Sequence, residues 1–400
     1  MSALLVPQTP VAPETLETLF GELIDAHPAL RSTIDVTALS MTVCDTDDAW
    51  NGLERIAIES TAEIESYGER IQGSLNLESG PLMRTVLFEN GEQQWLLLTV
   101  HHIVSDRLSL LVLLDQLNHA LPSAVDGKTP NLSLPTSGFG AWIGALSSWA
   151  KSDEAAQTAQ RWRGYRWDDV QPLVETDEPN LNRDADGLRV RLDANLSQAL
   201  LRNEIGRPDE LITLALASEV AAITGSSVGL LEALSHGRRI GGLETSRSVG
   251  MFLNYAPLLL DRLDDPGSLH KAVDDLRSQQ ESAWSFDVLR YFAADEDVRG
   301  FFDEVPRAQV LFNFVGRSLD NEETPFLAFD HSPHGSDTDP DGRRAHQLAV
   351  MAEVHADETI ELAIVHSTKF WQSNDAEQFG RSVTDRLAMF MTAAAVESQS

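Results

Sequence analysis

Two adjacent histidines, His101 and His102, stand at the end of the apolar run Trp95-Leu96-Leu97-Leu98-Thr99-Val100, and Asp106 follows four residues after the second. Imidazole changes protonation near neutral pH, so a histidine delivered to a pocket can take a proton from an attacking nucleophile or orient it. Packing alone is a poor use of two imidazoles at the end of a buried strand, because each brings two ring nitrogens that need partners. Side chains alternate across a strand, so the two rings are expected on opposite faces, with only one in a given pocket. Asp106 has two compatible uses: with Ser105 it caps a following helix, and it can fix a histidine or pair with a distant arginine. The single thiol, Cys44, lies in a polar segment away from these groups and reads as an ordinary thiol. His331 and His334 beside Asp337, Asp339 and Asp341 are ligand-type residues. No regular element fixes their spacing, and no metal site is expected there.

The elements that must position the histidines follow from periodicity and punctuation. Glu14 to His27 predicts an amphipathic helix stopped by Pro28, and Ala62 to Ile71 a second helix. After Gly80-Pro81, Leu82 to Phe88 predicts a strand, Asn90-Gly91 a hairpin turn, and Trp95 to Val100 the return strand that delivers the histidines. Leu108 to Leu121 and Ser137 to Arg166 read as helical. The polar stretch 175–187 is low in hydrophobicity and rich in turn formers, so it is expected to link an amino-terminal domain, 1–174, to a second, 188–400. The second half restarts with a strand at Leu188–Leu192, a helix at Leu196–Asn203 and a buried helix at Leu211–Ile223. Further strands are expected at Val228–Leu231, Ala256–Leu260, Gln309–Phe314 and Glu361–His366, and a surface loop at His331–Gly342. Both halves mix strands with helices, which predicts an α/β protein of two related lobes.

Composition narrows the function classes. A chain of 400 residues, 42% of them hydrophobic, fills two cores of ordinary size. A formal charge of −32 argues against a nucleic-acid partner or an anionic membrane surface, both of which reward clustered Lys and Arg. One cysteine makes an intramolecular disulfide or a cysteine zinc cluster impossible and fits a reducing cytoplasm. The amino terminus lacks a basic region followed by a long apolar one, and no stretch is read as long enough to span a bilayer. A cytoplasmic location without membrane contact is expected.

Taken in order, these residues resemble the condensation-domain superfamily of nonribosomal peptide synthetases, which also includes epimerization domains. His101-His102-Ile103-Val104-Ser105-Asp106 is similar to the HHxxxDG active-site motif, His27-Pro28-Ala29-Leu30-Arg31 to the HxALR helix end, and Gly80-Pro81-Leu82-Met83-Arg84 to the GPLxR segment. The stretch from Leu134 to Trp142 resembles the segment before the last helix of the first lobe. His236-Gly237-Arg238, Ser246 to Phe252, Val288 to Tyr291 and Leu311 to Gly316 resemble epimerization-branch motifs in their usual order. The resemblance implies two chloramphenicol-acetyltransferase-like lobes in a V-shaped pseudo-dimer with a central tunnel. It implies no directly bound cofactor, and substrates presented on the phosphopantetheine of acyl or peptidyl carrier proteins. By this match His102 is the active-site residue. His101 and Asp106 are then structural, Asp106 paired with an arginine such as Arg238 or Arg247. Arg107, Leu234, His236, Asn254, Tyr255 and Asn313 are the tunnel-lining candidates.

Departures from the motifs bear on the activity. Epimerization domains carry a glutamate two residues before the histidine of the HGR motif, as partner acid/base to the motif histidine. Leu234 stands there, and leucine carries no proton. Glu232 is two residues out of register. Arg107 replaces the motif glycine, and can either narrow the tunnel or point outward from the helix start. Asn254 and Pro257 resemble condensation domains. The family's opening helix and any adenylation or carrier domain are absent from this sequence, so a free-standing enzyme is expected, served by a carrier protein in trans and by a small-molecule or carrier-bound acceptor. Acyl transfer forming an amide or ester, with His102 as base or orienting group, is the leading expectation. Epimerization of a carrier-bound aminoacyl or peptidyl group using Glu232, and a degenerate module that recruits a carrier or enzyme, are the alternatives. The run Arg161-Trp162-Arg163-Gly164-Tyr165-Arg166-Trp167 is either a carrier-docking patch or a helix end with tryptophans packed inward and arginines solvated.

Overall fold

The structure is a computed structural model that describes residues 1–38, 40–128, 132, 137–317 and 326–397. Residues 134–136, part of the stretch before the last helix of the first lobe, lie outside the described residues. Its strands in chain order are β1 (Ser2–Pro7), β2 (Ser32–Asp35), β3 (Ser40–Val43), β4 (Leu53–Ala57), β5 (Met83–Asn90), β6 (Gln93–Val100), β7 (Ala185–Arg191), β8 (Val228–His236), β9 (Leu253–Asp261), β10 (Val310–Arg317), β11 (Leu327–Phe329), β12 (Leu348–Val354) and β13 (Ile360–Ser367). The helices are α1 (Pro13–Ala26), α2 (Thr46–Ala49), α3 (Glu63–Gln72), α4 (Arg107–Val125), α5 (Phe139–Trp149), α6 (Asp153–Arg163), α7 (Ala194–Arg202), α8 (Pro208–Thr224), α9 (Leu269–Ala283), α10 (Ser285–Phe292), α11 (Glu296–Glu304) and α12 (Ser373–Glu397).

The chain forms two compact units. The first comprises Met1–Ala145, Arg238–Leu253 and Glu322–Asp339; the second comprises Leu146–Gly237, Asn254–Asn321 and Pro340–Ser400. These units depart from the expected division into 1–174 and 188–400. One reason is β11, whose Leu327–Phe329 pairs antiparallel with Leu5–Pro7 of β1 and so belongs to the first unit's sheet. The expected linker 175–187 is not wholly a linker either: β7 begins at Ala185, and its residues 185–187 pair with Val365–Ser367 of β13. The long helix expected over 137–166 is broken at Ala150–Ser152, where the Ser152 hydroxyl accepts from Ala155 N and starts α6.

In the first unit the sheet order is β11-β1-β6-β5-β4, so β6 sits at its centre, antiparallel to both β1 and β5. Leu96, Leu97, Leu98 and Val100 of β6 are fully buried, as expected of a strand covered on both faces. The hairpin joining β5 to β6 turns one residue later than the sequence suggested. Asn90 pairs with Gln93, and Gly91-Glu92 form the two-residue turn. Gly91 has φ of +61° while Glu92 does not enter the left-handed region, which is the pattern with glycine at the first central position. Helix α1 starts with Pro13 in its first turn and buries Leu16, Leu19, Phe20, Leu23 and Ile24, one face at helical spacing. Helix α4 is apolar and long enough to meet a membrane-span criterion by length and composition, unlike the sequence expectation. Its Leu113, Leu114, Leu117, Ala120 and Leu121 lie in this unit's core, as in the core helix of a folded domain.

In the second unit the order is β7-β13-β12-β10-β8-β9. Strand β10 runs parallel to both β8 and β12, and β12–β13–β7 form an antiparallel edge. Helix α8 is buried almost all round and lies directly on β8. A Cβ at Gly229 would fall 1.9 Å from the Ala217 carbonyl oxygen, so this contact demands glycine.

Candidate functional site

Strand β6 ends at Val100, and the backbone then turns. The His101 amide donates to Leu82 O (2.8 Å), and residues His102–Val104 form one turn of 3-10 helix. This turn, and not strand alternation, separates the two rings: His101 is half-buried and His102 exposed. His101 Nδ1 accepts from Ile103 N (3.1 Å), which places the proton of the neutral ring on Nε2. Burial, helped by the amino-terminal ammonium and by His102, pushes the His101 pKa down. His101 is therefore held neutral and committed to its own turn. The His102 imidazole has no hydrogen-bond partner among the described residues and faces solvent.

Asp106 fixes the other flank. It is 1% exposed and caps α4, Oδ1 accepting from Ser109 N (2.7 Å). The same oxygen accepts from Arg238 Nη2 (2.7 Å), while Oδ2 accepts from Phe252 N (3.2 Å). Arg238, 6% exposed, also donates through Nη1 to Thr245 O (2.8 Å) and Ser248 O (2.6 Å). Its guanidinium lies over the Phe252 ring at 4.2 Å. Ser109 Oγ accepts from Gly250 N (3.1 Å) and Arg238 Nη2 (2.9 Å), leaving its one proton for Asp106 Oδ1 or Gly250 O. Phe139 stacks on Trp142 and both meet the Phe252 ring edge-to-face beside this network, and a Cβ at Gly250 would strike the Phe139 ring at 2.5 Å. Of the two arginines considered for Asp106, the structure uses Arg238. Arg247 is exposed and lies 3.9 Å from Asp115. Arg107 is the first residue of α4, exposed and without an ion-pair partner among the described residues.

The remaining candidates belong to the second unit. Glu232, Leu234 and His236 alternate along β8 and share one face, on which Glu232 and Leu234 are half-buried and His236 is exposed. Glu232 Oε2 lies 2.5 Å from His346 Nε2, and the Tyr255 ring stacks on His346 with centroids 6.4 Å apart. Burial, then the charges of Glu232 and Asp287, push the Tyr255 pKa up. Asp287 on α10 is raised to about 6 by burial and then by Glu232, with Arg290 and Arg307 pulling the other way. Asn254 is buried with Nδ2 lacking a protein partner, and Asn313 is half-buried on β10. This unit thus brings the side chains of Glu232, Tyr255, Asp287 and His346 into one neighbourhood. Ser109, Asp287 and His346 were missed by the sequence reading. Ser109 had a signal, three residues after a capping Asp, whereas a lone His in Arg343-Arg344-Ala345-His346 had none.

Other residues with apparent chemistry are committed elsewhere. Trp162 and Trp167 are buried against Phe286 and Phe302, and Trp162 Nε1 donates to Ser285 Oγ (3.0 Å). Arg163 lies over Phe301 and donates to Asp297 O, and Arg166 pairs with Asp169 and Asp261. The Arg161–Trp167 run is therefore a packed helix end with exposed arginines. His334 O accepts from Gln72 Nε2 (3.0 Å), tying the acidic loop to α3. Among the described residues no three His, Cys, Asp or Glu side chains gather as a metal site. Cys44 is half-buried, its carbonyl accepting from Arg31 Nη1 (2.6 Å).

The sequence and fold of this chain are similar to those of known proteins. The family model for the Condensation domain matches residues 1–399. Chondramide synthase cmdD of Chondromyces crocatus is 28% identical over 373 residues, covering 87% of this chain, while the chain spans 9% of that protein's length. Among solved structures, the epimerization domain from the third module of tyrocidine synthetase B superposes with a TM-score of 0.82 at 19% identity, over 98% of this chain and 92% of the other. The X-domain from teicoplanin biosynthesis gives 0.72 at 17%, over 98% and 90%. Both structures share the two-lobed α/β fold. With the HHxxxD turn in place and a family match over nearly its whole length, the chain belongs to the condensation-domain family of nonribosomal peptide biosynthesis.

Proposed function

We propose that this protein transfers an acyl group from a carrier-protein thioester, presented on a phosphopantetheine arm, to an amine or hydroxyl acceptor. The observation that carries this reading is the exposed His102 imidazole on a backbone braced by His101 on one side and Asp106–Arg238 on the other. In the reaction the acceptor nitrogen or oxygen attacks the thioester carbonyl, His102 takes or orients the proton it releases, and the carbon–sulfur bond breaks. The departing thiolate leaves as the thiol once that proton is returned. Neither a covalent enzyme intermediate nor a bound cofactor is required. Leu234 offers no proton, and Glu232 is already held by His346, which favours acyl transfer over a two-base inversion at an α-carbon.

The test is incubation with carrier-bound aminoacyl and peptidyl thioesters and amine or alcohol acceptors, with products read by intact mass. We expect product from the wild-type protein and a loss of ~10²–10⁴-fold in His102→Ala. Full turnover by folded His102→Ala would remove His102 from the mechanism. Exchange of α-deuterium in the carrier-bound group without bond formation would transfer the assignment to epimerization, and tight carrier binding without any turnover would transfer it to recruitment.

A further inference from the structure

We infer that the second unit carries a binding pocket for an α-amino acid with a large apolar side chain. The cavity measures about 580 Å³, and its walls come from residues 170–180, the approach to β10 and the approach to β12. That size falls within the range of small-molecule sites, which are mostly apolar with a few convergent polar groups. The walls are fixed in place. The Gln309 side chain accepts from Leu173 N (2.5 Å) and Val174 N (3.2 Å) and donates to Val174 O (2.8 Å). Arg344 N donates to Asn180 O (2.9 Å), and Leu181 bridges to Arg343. Leu173, Val220, Leu230 and Phe370 give the cavity an apolar lining.

The charges in this pocket are unusual for the chain. It has 62 acidic residues against 30 basic ones, yet Arg307, Arg343 and Arg344 line this cavity against two carboxylates, Asp177 and Glu178; Glu178 is paired with Lys369 (2.8 Å), and Arg307 lies 3.9 Å from Asp303. Neither Arg343 nor Arg344 has a carboxylate within ion-pair distance among the described residues. Arg344 is half-buried, and burial pushes its pKa down against only the more distant charge of Asp184. Its Nη1 is buried without a protein acceptor. A ligand carboxylate supplies both the counter-charge and the acceptor, in the geometry guanidinium favours. Two buried acceptors in the same lining, Asn180 Oδ1 and Gln347 Oε1, lack protein donors. A fatty acid offers them nothing, whereas an α-ammonium offers three donors. Carboxylate, ammonium and apolar side chain together define an amino acid, and this assignment is independent of the acyl-transfer reading.

Calorimetric titration of the intact chain with three probes tests it: L-phenylalanine, 3-phenylpropionate and phenethylamine. We expect saturable one-site binding of L-phenylalanine, and affinities on the order of tenfold or more weaker for each analogue, since each lacks one charged group. Arg344→Gln should weaken L-phenylalanine by a similar factor, and Arg343→Gln, at an exposed position that leaves folding intact, should weaken it in the same direction. No saturable binding by the folded wild-type protein, or unchanged affinity in both variants, would overturn the site. Equal binding of 3-phenylpropionate and L-phenylalanine would overturn the amino-acid assignment.

Discussion

Asp106 does two jobs with one carboxylate, and magnitudes separate them. As helix cap it satisfies the Ser109 amide, a role that asparagine fills about as well. As partner to Arg238 it neutralises a guanidinium that is almost wholly out of water. Asp106→Ala is expected to cost about 3–5 kcal/mol, because it leaves that charge buried without a counter-charge. Asp106→Asn keeps the cap and loses only the charge, so it should fall between the wild type and Asp106→Ala in urea denaturation. Equal stability of the Asn variant and the wild type would mean that capping is the whole contribution. The histidines and Asp106 were legible in the sequence because they fall in one short motif, and the candidate arginines Arg238 and Arg247 because each falls in a separate motif of the same family. The choice of Arg238 over Arg247 was not. It depends on Thr245 and Ser248 carbonyls and the Phe252 ring closing around one guanidinium, contacts made by residues more than a hundred positions from Asp106.

At the scale of elements, α1 and α4 are locked by one buried polar pair. His27, at the carboxy-terminal end of α1, lies with Nε2 2.7 Å from Gln116 Oε1 on α4 and is 1% exposed. Burial pushes its pKa down, only partly offset by the bond to Gln116. The neutral ring is thus favoured in the folded state, while the unfolded chain takes up a proton as pH falls below about 6.5. Stability should therefore decline as pH drops through that value, by at most about 1.4 kcal/mol per pH unit for this residue, and level off below the folded pKa. His27→Gln should flatten its share of the decline in melting temperatures measured between pH 7.5 and 5.5; parallel curves for the two proteins would refute the assignment. The strands and helices with clear periodicity, such as β5, β6, α1 and α8, were readable. Three-residue β11 was not, since only its pairing with β1 makes it a strand, and the hairpin register fell one residue beyond Asn90-Gly91 because Gly91 takes the first turn position.

For the whole molecule the interleaved segments matter more than any boundary read along the chain. Arg238–Leu253 leaves the second half of the sequence to complete the first unit, and Arg238 carries there the charge that Asp106 needs. Composition could not show this, since low hydrophobicity marks loops and not the unit to which the next segment returns. Charge, by contrast, is a property of the whole chain. At −32 the folded state repels itself, while its exposed ion pairs, such as Arg55–Glu89 and Lys369–Glu178, are each worth about 0–1 kcal/mol. Salt weakens both terms, but repulsion acts over longer distances and is screened first as the Debye length falls from about 30 Å at 10 mM to about 8 Å at 150 mM. The buried Asp106–Arg238 pair is shielded from that screening by its surroundings. The melting temperature should therefore rise as sodium chloride increases over this range at pH 7.5. A fall instead would show that local ion pairs outweigh the long-range repulsion of the acidic surface.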